Sequence, residues 1–477
     1  MNDDIFFAGI VELNRRLRAK EFSAVELTRA FAERLEAIGP RYNALALSLR
    51  ERAVRKAKEV DGDLKRERFR GMLQGVPFGA KDLRSVAGQI TTWGARPYAA
   101  QVFDYDATAL SRLEKAGGVL TGKLSMVELA GGGGYRYAAA SLFGPGLNPW
   151  DRSRWSGGSS SGSASAVAAG LVSYALGSET SGSIITPAAY CGVTGLRPTY
   201  GLVSRHGAMA LSWTLDKVGP ICHNAEDCGY VLGAIAGKDE NDPGSAGKSF
   251  YFAPQFARDM KTIRAGFSPA DFETSTEPAT KIAFLKSLDD LRDMGIQLIE
   301  TKLPSFPYGS VATVMGAESA IIFEPLIESD RVDQLADKKQ IAGLKASLDI
   351  PARDYLKAMR IRRLMMQEWR KMMTGIDVLV APARYGVASK ITEPLDRSTP
   401  PAPGAPDQPT GMRSLISASN LVGWPALSLP CGFVEGLPIG LQFVSRPFTE
   451  NLIVAMGIEF QKRTDWHKRR PKVGAIS

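Results

Sequence analysis

Apolar residues recur at helical spacing near the start of the chain. Ser23 and Glu26 fit a capping box, in which each side chain accepts a hydrogen bond from a backbone N–H of the other residue. The apolar face that follows consists of Leu27, Ala30, Phe31, Leu35 and Ile38. Because this spacing is typical of an amphipathic helix, residues 1–70 are predicted to form a helical extension that packs on the core.

From about residue 70 the pattern changes to short apolar runs separated by glycine. Residues 75–80 are predicted to form a buried strand that ends at Lys81, residues 106–116 a helix, and residues 119–121 the next strand. A strand–helix–strand order predicts an α/β fold with helices on the faces of a sheet. Other predicted elements are helices at 280–294 and 353–373 and strands at 376–380, 427–429 and 439–444.

Composition and charge narrow the class of protein. The chain has 477 residues and a net charge of +9, but its 59 basic residues are scattered among 50 acidic ones. The only dense basic cluster is at 467–470. A nucleic-acid site would require clustering, so the charge pattern favours a solvated surface, and we expect no nucleic-acid partner.

Hydropathy and cysteine content indicate where in the cell the protein is located. The most membrane-like stretch, 164–177, is interrupted by Ser165 and Ser173, so no membrane partner is expected. The first residues are acidic, so no signal peptide is expected. The four cysteines contain no CxxC motif, which argues against a disulfide scaffold or a zinc site. We therefore expect a cytoplasmic protein without a bound metal.

Glycine and serine, by contrast, are concentrated in one region of the chain. Two Gly/Ser clusters, at 157–163 and 177–183, flank a stretch of small apolar residues. Glycine lets the backbone approach a ligand closely, so such clusters suit the binding of an anion or oxyanion by backbone N–H groups. A flexible linker is the alternative, but the apolar stretch between the clusters is suited to burial.

More than one motif could supply the catalytic nucleophile and base. Residues 158–162 match G-x-S-x-G, which would make Ser160 the nucleophile of an elbow, but that motif needs a preceding strand and a histidine base. The three histidines have no supporting context. A serine hydrolase could instead use a lysine whose pKa is lowered by burial, and Lys81 is the best-placed lysine. A solvated or ion-paired lysine at a strand end is the alternative.

Three segments together resemble the amidase signature family. They are GVPFGAKD at 75–82, GGSSSGSASAVAAG at 157–170 and LGSETSGSIITPAAYCGVTGLRPT at 176–199. Further matching segments extend the resemblance from about residue 5 to 465. The resemblance implies an α/β fold: a single large domain, with a central mixed β-sheet flanked by α-helices, whose catalytic part spans 71–477.

The family's catalytic triad can be transferred to this sequence. The resemblance implies that Ser183 is the nucleophile and that Ser159, 24 positions earlier, is a bridging serine with a cis peptide bond. Lys81 is the implied base.

The resemblance also implies where substrate binds. The expected oxyanion hole consists of the backbone N–H groups of Thr180, Ser181, Gly182 and Ser183. The expected substrate pocket includes Gly131, Gly132, Gly133 and Ser160. The run of glycines implies a roomy or mobile wall, or else a structural turn.

Three positions depart from the family pattern. Ser161 and Ser181 stand where glycine is common, and Ile185 stands where arginine is frequent. The triad is complete, so these departures affect only the expected pocket. A non-catalytic binding protein on the same scaffold would require the loss of a triad residue.

The implied function is hydrolysis of a small amide, carbamate, urea or ester without a cofactor. The segment 304–413, which contains a proline-rich loop at 393–411, is expected to select the substrate. One alternative is the A-type component of a tRNA-dependent amidotransferase, which needs partner proteins and a glutamine site. Ile185 stands where that component would be expected to have arginine, and this favours a free-standing amidase. A homodimer is compatible with the sequence.

Overall fold

A mixed sheet of eleven strands runs through the computed structural model, which describes residues 3–273, 277–395 and 411–474. Its strand order is β1-β3-β2-β4-β6-β5-β10-β11-β9-β7-β8. The strands are β1 (Leu45–Ser48), β2 (Pro77–Lys81), β3 (Val119–Leu124), β4 (Tyr174–Glu179), β5 (Thr194–Arg197), β6 (Lys217–Cys222), β7 (Arg264–Phe267), β8 (Gln297–Glu300), β9 (Val378–Pro382), β10 (Ala426–Val434) and β11 (Leu437–Ser445).

Helices cover the sheet, and fourteen α-helices lie within the described ranges. They are α1 (Ile10–Arg18), α2 (Ala24–Ile38), α3 (Arg50–Lys65), α4 (Thr108–Lys115), α5 (Ser161–Ala168), α6 (Ile185–Cys191), α7 (Ala225–Ile235), α8 (Pro269–Glu273), α9 (Pro278–Asp293), α10 (Ser310–Glu328), α11 (Lys338–Ser347), α12 (Ala352–Met372), α13 (Leu415–Leu421) and α14 (Glu450–Thr464). The predicted α/β class and single mixed sheet are confirmed.

The core lies on both faces of the sheet. Val378 and Val380 of β9 belong to one apolar cluster, whereas Leu379 and Ala381 belong to another. This division follows from the alternation of side chains along a strand. The second cluster is built around Trp369 and Trp424, whose ring centroids lie 5.1 Å apart in an edge-to-face contact.

The first seventy residues contain a strand as well as helices. The capping box of Ser23 and Glu26 forms as predicted and begins α2. Between α2 and α3, however, β1 pairs with β3 and forms one edge of the sheet. The purely helical prediction missed β1 because its four residues are too few to show a periodic pattern.

The most membrane-like segment is α10 and not the predicted 164–177. Within the described ranges, α10 alone is long and apolar enough to cross a membrane, and 44% of that window is buried in the protein. One partly buried helix of this kind is weak evidence for a membrane span. Most of the predicted proline-rich loop, residues 396–410, lies outside the described residues.

Candidate active site

The carboxyl ends of two neighbouring parallel strands bring Lys81 and Ser178 together. Strand β2 pairs in parallel with β4, with Ala80 opposite Leu176. Lys81 is the last residue of β2, and Ser178 lies two residues beyond Leu176. The Lys81 Nζ donates to Ser178 Oγ at 2.9 Å. The carboxyl edge of an open α/β sheet is where ligands commonly bind.

A second hydroxyl reaches the same amine from the loop before α5. The Lys81 Nζ donates to Ser159 Oγ at 2.7 Å, and the peptide bond between Gly158 and Ser159 is cis. Both side chains are almost completely buried, whereas Ser183 retains 9% exposure. A molecule that approaches from solvent therefore meets Ser183 before it meets the lysine.

Ser160 fixes the start of α5 to the end of β4. Its hydroxyl donates to the Ser178 carbonyl at 3.1 Å and accepts from the Ser178 N–H at 3.3 Å. Its backbone N–H donates to the Ser183 carbonyl at 3.3 Å. These three bonds tie the start of α5 to Ser178 and to Ser183. No strand directly precedes Ser160 in the described residues, so the elbow interpretation lacks its structural context.

The electrostatic environment of Lys81 differs from that of the buried lysine on the neighbouring strand. Lys123 of β3 forms an ion pair with Asp82, with 2.7 Å between Nζ and Oδ1. Among the described residues, no carboxylate forms an ion pair with Lys81, which is also completely buried. Burial lowers the pKa of the Lys81 ammonium well below its usual value, and the nearby Arg84 guanidinium lowers it further.

Arg84 lies behind the site, where it is held by the main chain of β4. Its guanidinium donates to the carbonyls of Leu176 and Gly177 at 3.2 and 2.6 Å. Burial lowers the pKa of Arg84 to about 9, so the group still carries a positive charge at neutral pH. A fixed positive charge close to Lys81 favours the neutral amine.

A buried carboxylate organises the turn that carries Ser183. The Glu179 carboxylate accepts from the N–H groups of Ile184 and Ile185 at 2.8 and 3.0 Å. It also pairs with Arg197 at 2.7 Å and accepts from the Asn420 amide at 2.7 Å. Burial alone would raise the pKa of Glu179, but these partners hold it at about 2. The turn is therefore anchored to β5 and α13.

The other side of the turn is anchored by Asp216. The Thr180 hydroxyl donates to Asp216 Oδ1 at 2.6 Å, while the N–H groups of Leu211 and Ser212 donate to Oδ2 at 2.7 and 2.9 Å. Asp216 thus joins the turn to the 211–212 loop. Gly182, with φ of +90°, supplies the left-handed residue that the turn requires.

Four consecutive N–H groups remain available between these anchors. Within the described residues, the backbone N–H groups of Thr180, Ser181, Gly182 and Ser183 have no hydrogen-bond acceptor. The next two amides, at Ile184 and Ile185, are both bound by Glu179. The four predicted oxyanion donors are therefore the amides that the protein itself does not use. Ile185 is buried in the apolar cluster around Trp369.

A cavity of about 250 Å³ opens beside Ser178 and Thr180. Its apolar wall contains Leu83, Met209 and Trp213. Gly131, Gly132, Gly133 and Ser160, the predicted pocket residues, do not line it, although Ala130 does. The cavity borders the Ser183 turn at Thr180 alone, and Lys81, Ser159 and Ser183 do not line it.

The glycine segment is a turn that packs closely against α11. A Cβ on Gly133, where φ is +79°, would lie 2.5 Å from the Gln340 carbonyl oxygen and 2.7 Å from the Leu344 nitrogen. Glu128, just before the segment, accepts from the N–H groups of Ala336 and Asp337 at 3.0 and 3.1 Å. This packing favours the turn interpretation over a roomy wall.

Replacing Gly133 with alanine therefore tests the close approach. Gly134 is the matched control, because its φ is +76° but a Cβ there would meet no atom within 4 Å. Gly133→Ala is expected to lower the free energy of unfolding by roughly 1 to 3 kcal/mol more than Gly134→Ala, because only the former adds overpacking to backbone strain. Chemical denaturation of both variants measures the difference, and equal losses would contradict the packing.

Sequence reasoning missed the residues that support the site. Ser178 was visible within the LGSETSGS segment, and knowledge that β2 and β4 are parallel neighbours would have identified it. Glu179 lies in the same segment, but its bonds to Arg197 and Asn420, like the contacts of Arg84 and Asp216, join parts of the chain that no local pattern relates.

Comparisons with known proteins identify the family to which the chain belongs. A family model described as Amidase matches residues 26–454. The A component of the Moorella thermoacetica glutamyl-tRNA(Gln) amidotransferase is 33% identical over 99% of both chains. The peptide amidase of Stenotrophomonas maltophilia is 29% identical, with a TM-score of 0.84 over 98% of this chain and 99% of that one.

A third relative is the A component of the Thermotoga maritima glutamyl-tRNA(Gln) amidotransferase. Its structure covers 100% of both chains at 27% identity, with a TM-score of 0.79. The fold is thus shared with a peptide amidase and with an A component of a glutamyl-tRNA(Gln) amidotransferase, and this chain belongs to the amidase family.

Proposed function

We propose that the chain hydrolyses an amide through an acyl-enzyme formed on Ser183, with Ser159 and Lys81 as the proton relay. The observation that carries the proposal is the buried Lys81 amine, which donates to two serine hydroxyls and has no carboxylate partner among the described residues. A neutral amine in this position is a base within hydrogen-bond distance of a serine hydroxyl.

The proposed reaction begins with proton transfer along the relay. Ser159 gives its proton to neutral Lys81 and takes the proton of Ser183, whose oxygen attacks the substrate carbonyl carbon. The N–H groups of residues 180–183 stabilise the oxyanion, and one such donor is typically worth about 3 to 4 kcal/mol of barrier. The C–N bond then breaks as the relay returns the proton to the leaving nitrogen. Water repeats the sequence on the acyl-enzyme and releases the acid.

The biological setting of this chemistry has two candidates. The curated relatives are A components of glutamyl-tRNA(Gln) amidotransferases, with 33% identity over nearly the whole chain. This similarity supports the amidotransferase alternative better than the free-standing amidase that Ile185 led us to expect. We therefore propose the amidotransferase setting first. The free-standing setting is supported by the likeness to the peptide amidase.

The remaining features of the proposal concern substrate and location. The 250 Å³ cavity suits a small amide, carbamate or ester. The segment 304–413 is proposed to select among these substrates. The proposed reaction uses only side chains and backbone groups of the chain, so it requires no cofactor. A cytoplasmic location, the absence of a nucleic-acid or membrane contact by this chain itself, and a homodimer stay as predictions.

The roles of the relay residues can be tested with three variants. Ser183→Ala and Lys81→Met are expected to lower kcat/KM on the best chromogenic anilide or ester by at least about a thousandfold, because nucleophile and base act as a unit. Ser165→Ala is the matched control. Ser165 lies farther along α5, and its buried hydroxyl donates to the Leu147 carbonyl and not to the relay. Activity that persists undiminished in Ser183→Ala would exclude the mechanism.

Labelling with phenylmethylsulfonyl fluoride identifies the nucleophile independently. Peptide mapping should find the modification on the peptide that contains Ser183. Modification of Ser160 would support the nucleophile elbow instead.

The two settings make different predictions for the isolated chain. In the amidotransferase setting, the chain purified alone releases little ammonia from glutamine, and the chain isolated from its native host co-purifies with stoichiometric partner proteins and releases ammonia faster. Mass spectrometry and an ammonia assay measure both properties. Rapid turnover of simple amides by the chain alone, without any co-purifying protein, would overturn the amidotransferase setting and leave the acyl-enzyme chemistry intact.

A further inference from the structure

Ser178 is the one residue of β4 that is not fully buried, and the proposed relay gives its side chain no role. Its hydroxyl oxygen lies 2.9 Å from Lys81 Nζ, close to the 2.7 Å that separates Lys81 Nζ from Ser159 Oγ. The buried amine of Lys81 therefore has two hydroxyl neighbours, and the proposed relay uses only one of them.

The position of Ser178 is fixed through its main chain. Its N–H and its carbonyl both bond to the Ser160 hydroxyl, at 3.3 and 3.1 Å. On the other side Ser178 lies opposite Val218 in the antiparallel pairing of β4 with β6. The Ser178 hydroxyl is thus carried by a residue that both the sheet and the start of α5 hold in place.

Lys81 has few other groups to orient it. Among the described residues, Ser159 and Ser178 are the only hydrogen-bond partners of its amine. A neutral lysine amine carries two hydrogens and one lone pair. Transfer of the Ser159 proton requires this lone pair to point at the Ser159 hydroxyl. An acceptor that holds one of the two hydrogens sets the rotation of the amine, and Ser178 is such an acceptor.

The Ser178 hydroxyl has its hydrogen free for solvent. Ser178 lines the cavity of about 250 Å³ beside Thr180. In the described part of the chain, its hydroxyl donates to no protein group. Because a serine hydroxyl can donate once and accept twice, a water in the cavity can take the hydrogen while the oxygen still accepts from Lys81.

We propose that Ser178 is a positioning residue, which orients the Lys81 amine so that its lone pair faces Ser159. The proposal rests on the proposed acyl-enzyme chemistry at Ser183. Ser178 itself gives up no proton, since it accepts a hydrogen bond from Lys81 both before and after Lys81 takes the proton of Ser159. The bond to the ammonium form is the stronger of the two, because its donor is charged.

The charged groups near Lys81 set the sign of the expected pH effect. Burial and the Arg84 guanidinium lower the pKa of Lys81, whereas the carboxylates of Asp216 and Glu179 raise it. A hydrogen bond to Ser178 favours the ammonium and therefore also raises the pKa. Loss of this bond lowers the pKa further. Because the neutral amine is the base, the acid limb of the pH–rate profile then moves to lower pH.

The test compares Ser178→Thr with Ser178→Val. The two side chains have nearly the same shape and both suit a strand, but only threonine keeps the hydroxyl. The rate of inactivation by phenylmethylsulfonyl fluoride is measured against pH, because this probe needs no known substrate. Ser178→Thr is expected to stay close to the wild-type protein. Ser178→Val is expected to react about ten- to a hundredfold more slowly at its plateau, with an acid limb about one pH unit lower.

Ser163→Ala is the matched control. The Ser163 hydroxyl donates to the Leu176 carbonyl of β4 at 3.3 Å and makes no bond to Lys81, so this variant should leave the acid limb in place. Equal profiles for the threonine and valine variants would overturn the proposal. A loss in Ser178→Val as deep as that in Ser159→Ala would overturn it as well, because Ser178 would then transfer a proton.

The ionisation of Lys81 gives a second measurement that needs no reaction at Ser183. In protein labelled with ¹³Cε-lysine, the pKa of Lys81 is expected to fall in Ser178→Val and to stay unchanged in Ser178→Thr. If the valine variant does not fold, Ser178→Ala replaces it in both measurements. A shifted pKa in a protein whose Ser183 is never labelled would overturn the acyl-enzyme function and leave the bond between Lys81 and Ser178 established. Normal labelling with no difference between the variants would overturn only the role of Ser178.

Discussion

The active site depends on the burial of one lysine amine without a carboxylate partner. Lys123 shows what the same fold does with an ordinary buried lysine: Asp82 pairs with it. Lys81, on the next strand, donates to the hydroxyls of Ser159 and Ser178 and makes no ion pair among the described residues. The nearby Arg84 charge lowers its pKa, and the carboxylates of Asp216 and Glu179, each with a smaller effect, raise it. Because burial penalises the charged form most when no counter-ion is present, this arrangement favours a neutral amine, and a neutral amine is what the proposed relay requires.

The rest of the fold keeps that amine enclosed and keeps the reacting groups beside it. The parallel pairing of β2 and β4 sets Lys81 next to Ser178, and the hydroxyl and N–H of Ser160 attach α5 to the same edge. Glu179 fixes one side of the Ser183 turn through two amides and Arg197, and Asp216 fixes the other side through Thr180. The four amides between these anchors stay available, which is the preorganisation that an oxyanion site needs.

Local sequence patterns predicted part of this architecture. The capping box of α2 and the strand that ends at Lys81 could be predicted because each depends on neighbouring residues. The sheet order and the contacts of Arg84, Glu179 and Asp216 could not, because they join segments that are distant in sequence and carry no periodic signal. The glycine segment at 131–134 was ambiguous for the same reason, since its packing partner is α11.

The most direct test of the proposed mechanism is the ionisation of Lys81 itself. In protein labelled with ¹³Cε-lysine, the signal that disappears in Lys81→Met belongs to this residue, and its chemical shift can be followed with pH. We predict that the pKa of Lys81 lies well below the ordinary lysine value and rises when Arg84→Gln removes the neighbouring charge. A Lys81 signal that titrates at the ordinary value in both proteins would contradict the mechanism.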